Sequence, residues 1–213
     1  ATPGVTGRYS NQLNYHSAVA CAGGPEQFRT ARTIAQEAHF ARAFGTHLEG
    51  VFNSSHYNPR FRSALAKMTD TGTLNYLWSQ AMIAGFVAAG VRHAVISPGS
   101  RSTPLALAML RQPGLECTVA VDERSAAFFA LGIAKASHRP VLLLATSGTA
   151  PANWLPALIE ASQAGVPLIA ISTDRPPELQ ACGANQTIDQ RQLFGTHVRA
   201  SHPLGPPEAG IDP

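Results

Sequence analysis

The sequence predicts an α/β fold, a parallel sheet with helices on both faces, and three observations carry that expectation. Short, nearly continuous apolar runs recur near 93–97, 116–121, 140–146 and 167–173, the pattern of strands buried on both sides. Helix-period segments separate them near 103–112, 123–137 and 150–164, an alternation that calls for parallel pairing through crossovers. Each apolar run ends in a polar cluster, and in such sheets ligands collect beyond the carboxyl ends of the strands.

In chain order, the first stretch has a different texture. Residues 1–67 hold seven Lys/Arg against three Asp/Glu, and residues 68–213 hold nine against ten. The formal charge of +3 therefore belongs to the first third. One helix is expected there over 26–44, with Phe28, Ala31, Ala35, Ala38, Ala41 and Phe44 near one face. His39 and His47 have no carboxylate or cysteine at ligand spacing and read as exposed or packing histidines. Residues 1–67 read as a small appended module or as a poorly ordered extension upstream of the true start. The second reading is favoured because Met68-Thr69-Asp70 directly precedes the first regular helix.

That helix is expected over 73–89, with Leu74, Leu77, Trp78, Ala81, Met82, Phe86 and Val87 as its apolar face and Gly90 as its stop. The strand Ala94-Val95-Ile96 then leads into Ser97-Pro98-Gly99-Ser100-Arg101-Ser102-Thr103-Pro104. There Gly99 is expected to permit a sharp turn, Ser102 or Thr103 to cap the next helix, and Pro104 to suit its first turn, leaving Arg101 to point outward. Hydroxyls, N–H groups and a guanidinium at a positive helix end make a cradle for an anion. The next strands lead into Asp122-Glu123-Arg124-Ser125, Thr146-Ser147-Gly148-Thr149 and Thr173-Asp174-Arg175-Pro176-Pro177. Any one cluster could be a simple helix cap, but four on one edge mark a site. Glu123 has apolar sequence on both sides. It either pairs with Arg124 or Arg101, or holds a raised pKa and exchanges a proton with a ligand, or joins Asp122 in favouring the helix's positive end. The Pro/Gly-rich residues from 201 to 213 read as a linker.

Bulk properties exclude several classes. No apolar run approaches the ~20 residues of a membrane span, no secretory leader is read, and a cytoplasmic protein is expected. Cys21, Cys117 and Cys182 are too few and too scattered for a disulfide framework or a zinc knuckle and read as ordinary thiols, with no metal-binding residues assigned. Arginines without a one-faced stripe argue against nucleic acid.

The strings SPGSRSTPLALA, DERSAAFFALGIAKAS, LATSGTAPANWLPALIEA and STDRPPELQACGANQTIDQ resemble the N-terminal, pyrimidine-binding domain of the MenD family, thiamine diphosphate-dependent synthases of menaquinone biosynthesis. The resemblance runs from about residue 73 to 199 and implies a pyrimidine-binding domain over 68–200. It implies that Glu123 hydrogen-bonds N1′ of the cofactor's aminopyrimidine and that Ser147, Gly148 and Thr149 lie near that ring. It also implies that Arg101 and Arg175 grip substrate carboxylates as guanidinium forks, that Ser100 bonds substrate or intermediate, and that Asn185 and Gln186 face isochorismate. The implied reaction decarboxylates 2-oxoglutarate and adds the four-carbon unit to isochorismate. The implied partners are those substrates and further copies of the chain in a homodimer or homotetramer. Family members hold the diphosphate and Mg2+ or Mn2+ with a second domain bearing Gly-Asp-Gly, which is absent from this sequence, so the 213-residue chain alone is expected neither to bind the cofactor tightly nor to turn over. The alternatives are part of another thiamine diphosphate-dependent decarboxylase or synthase, and a non-catalytic module that binds a small dianion.

Overall fold

The structure, a computed structural model, describes residues 18–22 and 71–207. In chain order they form β1 (Ala18–Ala22), α1 (Thr71–Ala88), β2 (His93–Ile96), α2 (Thr103–Arg111), β3 (Glu116–Val119), α3 (Glu123–Ser137) and β4 (Val141–Ala145). A 3-10 turn (Pro151–Trp154), α4 (Leu155–Ala164), β5 (Leu168–Ser172) and β6 (Ala200–Pro203) follow. The helix expected over 26–44, with His39 and His47, lies outside the described residues.

Alternate residues of the strands supply two separate cores. Ala94, Ile96, Leu142, Leu144, Ile169 and Ile171 face α1 and α2, where Met82, Ile83, Phe86, Leu105 and Met109 cover them. Val95, Val141, Leu143, Ala145, Leu168 and Ala170 face the other way, under Ala126, Ala130, Trp154 and Leu158 of the α3 and α4 side. This period of two, with apolar residues at both phases, is why the strands read as unbroken apolar runs. Trp154 is fully buried and stacks on Phe194 with ring centroids 6.3 Å apart, which ties the segment after β5 to the second core.

The sheet order is β3-β2-β4-β5-β1-β6. β2, β3, β4 and β5 pair in parallel, as expected, and the helices lie on both faces. β1 departs from that plan: it runs antiparallel between β5 and β6. No strand was expected before residue 93, because an alanine-rich run has little β preference of its own and here pairing with distant strands overrides it. Residues 200–203, partly expected as linker, continue the sheet as β6.

Two local details also differ. The helix expected over 150–164 begins as 3-10, since Pro156 has no N–H to return to residue 152, and α-geometry starts at Leu155. The buried side of α1 includes Asn75, Ser79 and Ile83 while Leu77, Trp78 and Val87 are only half-buried. Ser79 fits there because its hydroxyl donates to the Asn75 carbonyl at 2.6 Å, so its polar group is satisfied within the helix.

Candidate functional site at the strand exits

From β2 the chain crosses through α2 to β3 on one side, and from β4 it crosses through α4 to β5 on the other. The loops leaving β2 and β4 therefore part company between neighbouring strands, the topological position at which such sheets bind ligands. The two loops are interlocked. The Ser97 N–H donates to the Leu144 carbonyl at 2.8 Å. A Cβ on Gly99 would sit 2.4 Å from Cβ of Thr146, so this glycine is needed for close approach to β4 rather than for a special turn conformation. Ser97 and Ser102 are buried, and Ser100 is exposed.

The hydroxyls here point the other way from the capping expectation. Ser102 Oγ donates to the Gly99 carbonyl at 3.0 Å and Thr103 Oγ1 to the Ser100 carbonyl at 2.7 Å. Neither accepts from the helix, because the tight loop brings its own carbonyls within reach first. At the start of α2 the Thr103 N–H also donates to the Ser100 carbonyl, at 3.4 Å, and Pro104 has no N–H to offer. Pro104 sits in the first turn, as expected. Arg101 is half-buried instead of pointing freely outward.

At the β4 exit Thr146, Ser147 and Gly148 are buried and Thr149 is exposed. Ser147 Oγ donates to the Gln186 carbonyl at 2.8 Å across 39 residues of sequence. Gly148 has φ +76, and a Cβ there would meet Gln186 Cγ at 2.8 Å and its carbonyl carbon at 3.0 Å. The residues assigned to the pyrimidine side and those assigned to the isochorismate side are therefore in contact. Gln186 itself adopts φ 58, and it and Asn185 are exposed.

At the β5 exit Asp174 is buried, and its Oδ1 accepts from the Arg175 N–H at 2.7 Å. Gln180 Nε2 donates to the Arg175 carbonyl at 2.9 Å. The Arg175 backbone is held from both sides, while its half-buried side chain has a buried Nε with no hydrogen-bond partner among the described residues. Buried Gln190, which sequence reasoning missed, donates from Nε2 to the Thr173 carbonyl at 3.0 Å. Its only sequence signal was its place at the end of the matched CGANQTIDQ string. Beyond this exit a cavity of about 480 Å³ is lined by Asp174, Gln180, Thr187, Asp189, Arg191 and Pro203, among others.

The β3 exit is built differently. Asp122 caps α3, its Oδ1 accepting from the Ser125 N–H at 2.7 Å. Ser125, through that bond, and more weakly Arg124 hold the Asp122 carboxyl below the usual carboxylate range. Glu123 is half-buried and makes no ion pair with Arg101 or Arg124 among the described residues. Around it in sequence, Val119, Val121, Phe128 and Phe129 are 55%, 84%, 40% and 49% exposed. The apolar setting expected for Glu123 is present but uncovered. With β2 lying between β3 and β4, the exits of β3 and β4 stand two strand spacings, roughly 10 Å, apart.

Among the described residues no three His, Cys, Asp or Glu gather as a metal-ligand set, and no helix is long and apolar enough to cross a membrane. Cys117 and Cys182 are unbridged, and burial pushes the Cys117 thiol up, which favours the unreactive protonated form.

Comparison with known proteins matches residues 78–193 to the family described as thiamine pyrophosphate enzyme, N-terminal TPP binding domain. Several curated relatives named 2-succinyl-5-enolpyruvyl-6-hydroxy-3-cyclohexene-1-carboxylate synthase are similar to this chain. The protein of Dechloromonas aromatica is 76% identical over 146 residues, covering 68% of this chain and 27% of the relative. That of Synechococcus elongatus is 53% identical over 136 residues, 64% of this chain and 23% of the relative. That of Listeria innocua is 57% identical over 128 residues, 60% and 22% respectively. The chain thus spans about a quarter of the length of these relatives.

Proposed function

This chain belongs to the thiamine pyrophosphate enzymes through their N-terminal TPP binding domain, and from that premise we propose that it is the N-terminal part of a menaquinone-biosynthesis synthase. The proposed reaction is a thiamine diphosphate-dependent transfer that decarboxylates 2-oxoglutarate and adds its four-carbon remainder to isochorismate. The observation that carries the reading is the convergence on one sheet edge of a half-buried glutamate at a helix start, without an ion pair among the described residues, two arginine-bearing strand ends and a pair of exposed amides.

The residues fit an aminopyrimidine ring. Glu123 has a carboxyl free to hydrogen-bond a ring nitrogen, and the neighbouring apolar side chains are uncovered, as contact with a flat ring or a covering domain requires. When bound, thiamine diphosphate supplies the nucleophilic carbon that decarboxylation of a 2-oxo acid demands. Glu123 holds and moves the proton at ring N1′, and the backbone of Ser147, Gly148 and Thr149 borders the ring. Arg101 and Arg175 orient the carboxylates of the two substrates, and Ser100 donates to the reacting substrate. Asn185 and Gln186 bond the ring-bearing acceptor. The diphosphate and its Mg2+ or Mn2+ belong to a second domain, brought by association in a homodimer or homotetramer in the cytoplasm. In this reading residues 68–200 are the pyrimidine-binding domain.

Complementation tests the proposal. The 213-residue chain is mixed with a relative's polypeptide that lacks only its own N-terminal domain, and synthase turnover is followed. Turnover that neither polypeptide shows alone is expected, with Glu123→Gln lowering it by about 10²-fold or more, the scale of a lost proton-transfer group. A complex that forms and does not turn over overturns the synthase reading. Full turnover with Glu123→Gln overturns the role of that residue.

A further inference from the structure

The segment Gly183–Gln190 lies across the open ends of β4 and β5 with only turns for local structure and a 3.3 Å hydrogen bond from Thr187 Oγ1 to the Asn185 carbonyl. Among the described residues, no backbone–backbone hydrogen bond joins residues 183–189 to the sheet. It is held instead by buried side chains of other parts of the chain and by one of its own. Near its middle, fully buried Ser147 donates to the Gln186 carbonyl at 2.8 Å. At its end, the buried Gln190 amide donates to the Thr173 carbonyl at 3.0 Å. Gly148 completes the seat, since any side chain there would strike Gln186. Just beyond, Phe194 is packed on Trp154.

We propose that Ser147 and Gln190 are positioning residues that stake this strap to the exits of β4 and β5, and so set where Asn185 and Gln186 present their amides. The inference rests on the reading above that those amides bond the acceptor substrate. The physical argument is one of leverage. A strap without a ladder has only its anchors to define it, and Gln186 holds a left-handed conformation that a non-glycine residue keeps only when its surroundings enforce it. The Ser147 hydroxyl is spent on the carbonyl of an exposed residue, so its placement passes directly to the surface of the site. Ser147 thereby acts on substrate through Gln186, one step removed from the ligand.

Limited proteolysis of the 213-residue chain tests the anchoring without any substrate. In Ser147→Ala and in Gln190→Leu, cleavage within residues 183–190 is expected about tenfold faster, the effect of losing one net hydrogen bond on local opening. The amides of Leu142–Leu144 and Ile169–Ile171, which lie in the sheet ladder, keep their hydrogen-exchange rates. Ser147→Thr, which retains the donor, stays within about twofold of the parent chain in strap cleavage. Unchanged strap cleavage in both variants, or acceleration of sheet exchange along with it, overturns the proposal. In the complemented enzyme Gln190→Leu is expected to raise KM for isochorismate about tenfold, with kcat within about twofold, because ground-state positioning is what it loses. A fall in kcat with KM unchanged overturns the link to substrate. Local cleavage effects without any turnover by the parent mixture would retire the synthase reading and leave the strap standing.

Discussion

At the β2 and β4 exits Gly99 lies against Thr146 and Ser147 holds Gln186, whereas at the β3 exit Glu123 stands half-buried near four exposed apolar side chains. The first region is finished by contacts within the chain: its loops fill each other's space and satisfy each other's polar groups. The second leaves Val119, Val121, Phe128 and Phe129 in water within eleven residues of sequence. Scattered exposed apolar residues are ordinary, but four in the stretch of sequence that carries a candidate catalytic carboxyl are apolar area that gains by being covered, at about 25 cal/mol for each Å² buried. The difference separates the part of the site whose geometry is internally fixed from the part that a second domain is proposed to complete.

The comparison can be broken most forcefully from beneath the closed region. Trp154→Ala removes the ring on which Phe194 rests and is expected to lower unfolding free energy by about 3–5 kcal/mol, the range for a buried aromatic, read by urea denaturation. Gly99→Ala should cost about 1–3 kcal/mol, the scale of overpacking, because the new methyl meets the branched Thr146 side chain. Wild-type stability in that variant would show that the β2 and β4 loops are not interlocked.

The open region should respond to pH and to surface change more mildly. Asp122 has a folded pKa below its unfolded one, so its contribution is present at neutral pH and is lost as pH falls below about 4 and through the lower folded value. The Ser125 amide, followed by NMR, should report fraying of α3 over that range. Asp122→Asn, which still caps, should remove the dependence, and an unchanged titration in the variant would assign it to another group. The smallest effect on stability is expected at the exposed rings. Phe128→Ser and Phe129→Ser should each stay within about 0.5 kcal/mol of the parent, as surface substitutions do, while weakening complementation by the missing domain. A large loss of stability would mean that these rings are core and that the two regions do not differ as described.

The regular part of the fold was legible to within a residue or two at most element ends, because strands buried on both faces leave unbroken apolar runs that interrupted helical stripes cannot imitate. The placement of Glu123, Arg101 and Arg175 at strand exits followed from where those runs end. Other features escaped for identifiable reasons. β1 is mostly alanine and finds its place by pairing with β5 and β6, and β6, Ala200-Ser201-His202-Pro203, has no apolar run and ends in a proline. Ser102 and Thr103 looked like caps because composition cannot tell a hydroxyl that accepts from a helix from one that donates backward to a loop carbonyl. Gln190 resembled any polar loop residue until the β5 exit was seen to lie within reach of its amide.

By itself, the sequence determined the succession of the four parallel strands and their helices, the polar character of those strands' exits, and the family to which the chain belongs. Those are properties of neighbours, written every two residues by a strand and every 3.6 by a helix. Only the tertiary structure decided which exits touch, that Gly99 is small for the sake of Thr146, that Ser147 reaches a carbonyl 39 residues away, and that the apolar fringe near Glu123 lies open. Such contacts depend on strand order and on how long loops close over the sheet, and no local period of the chain records either.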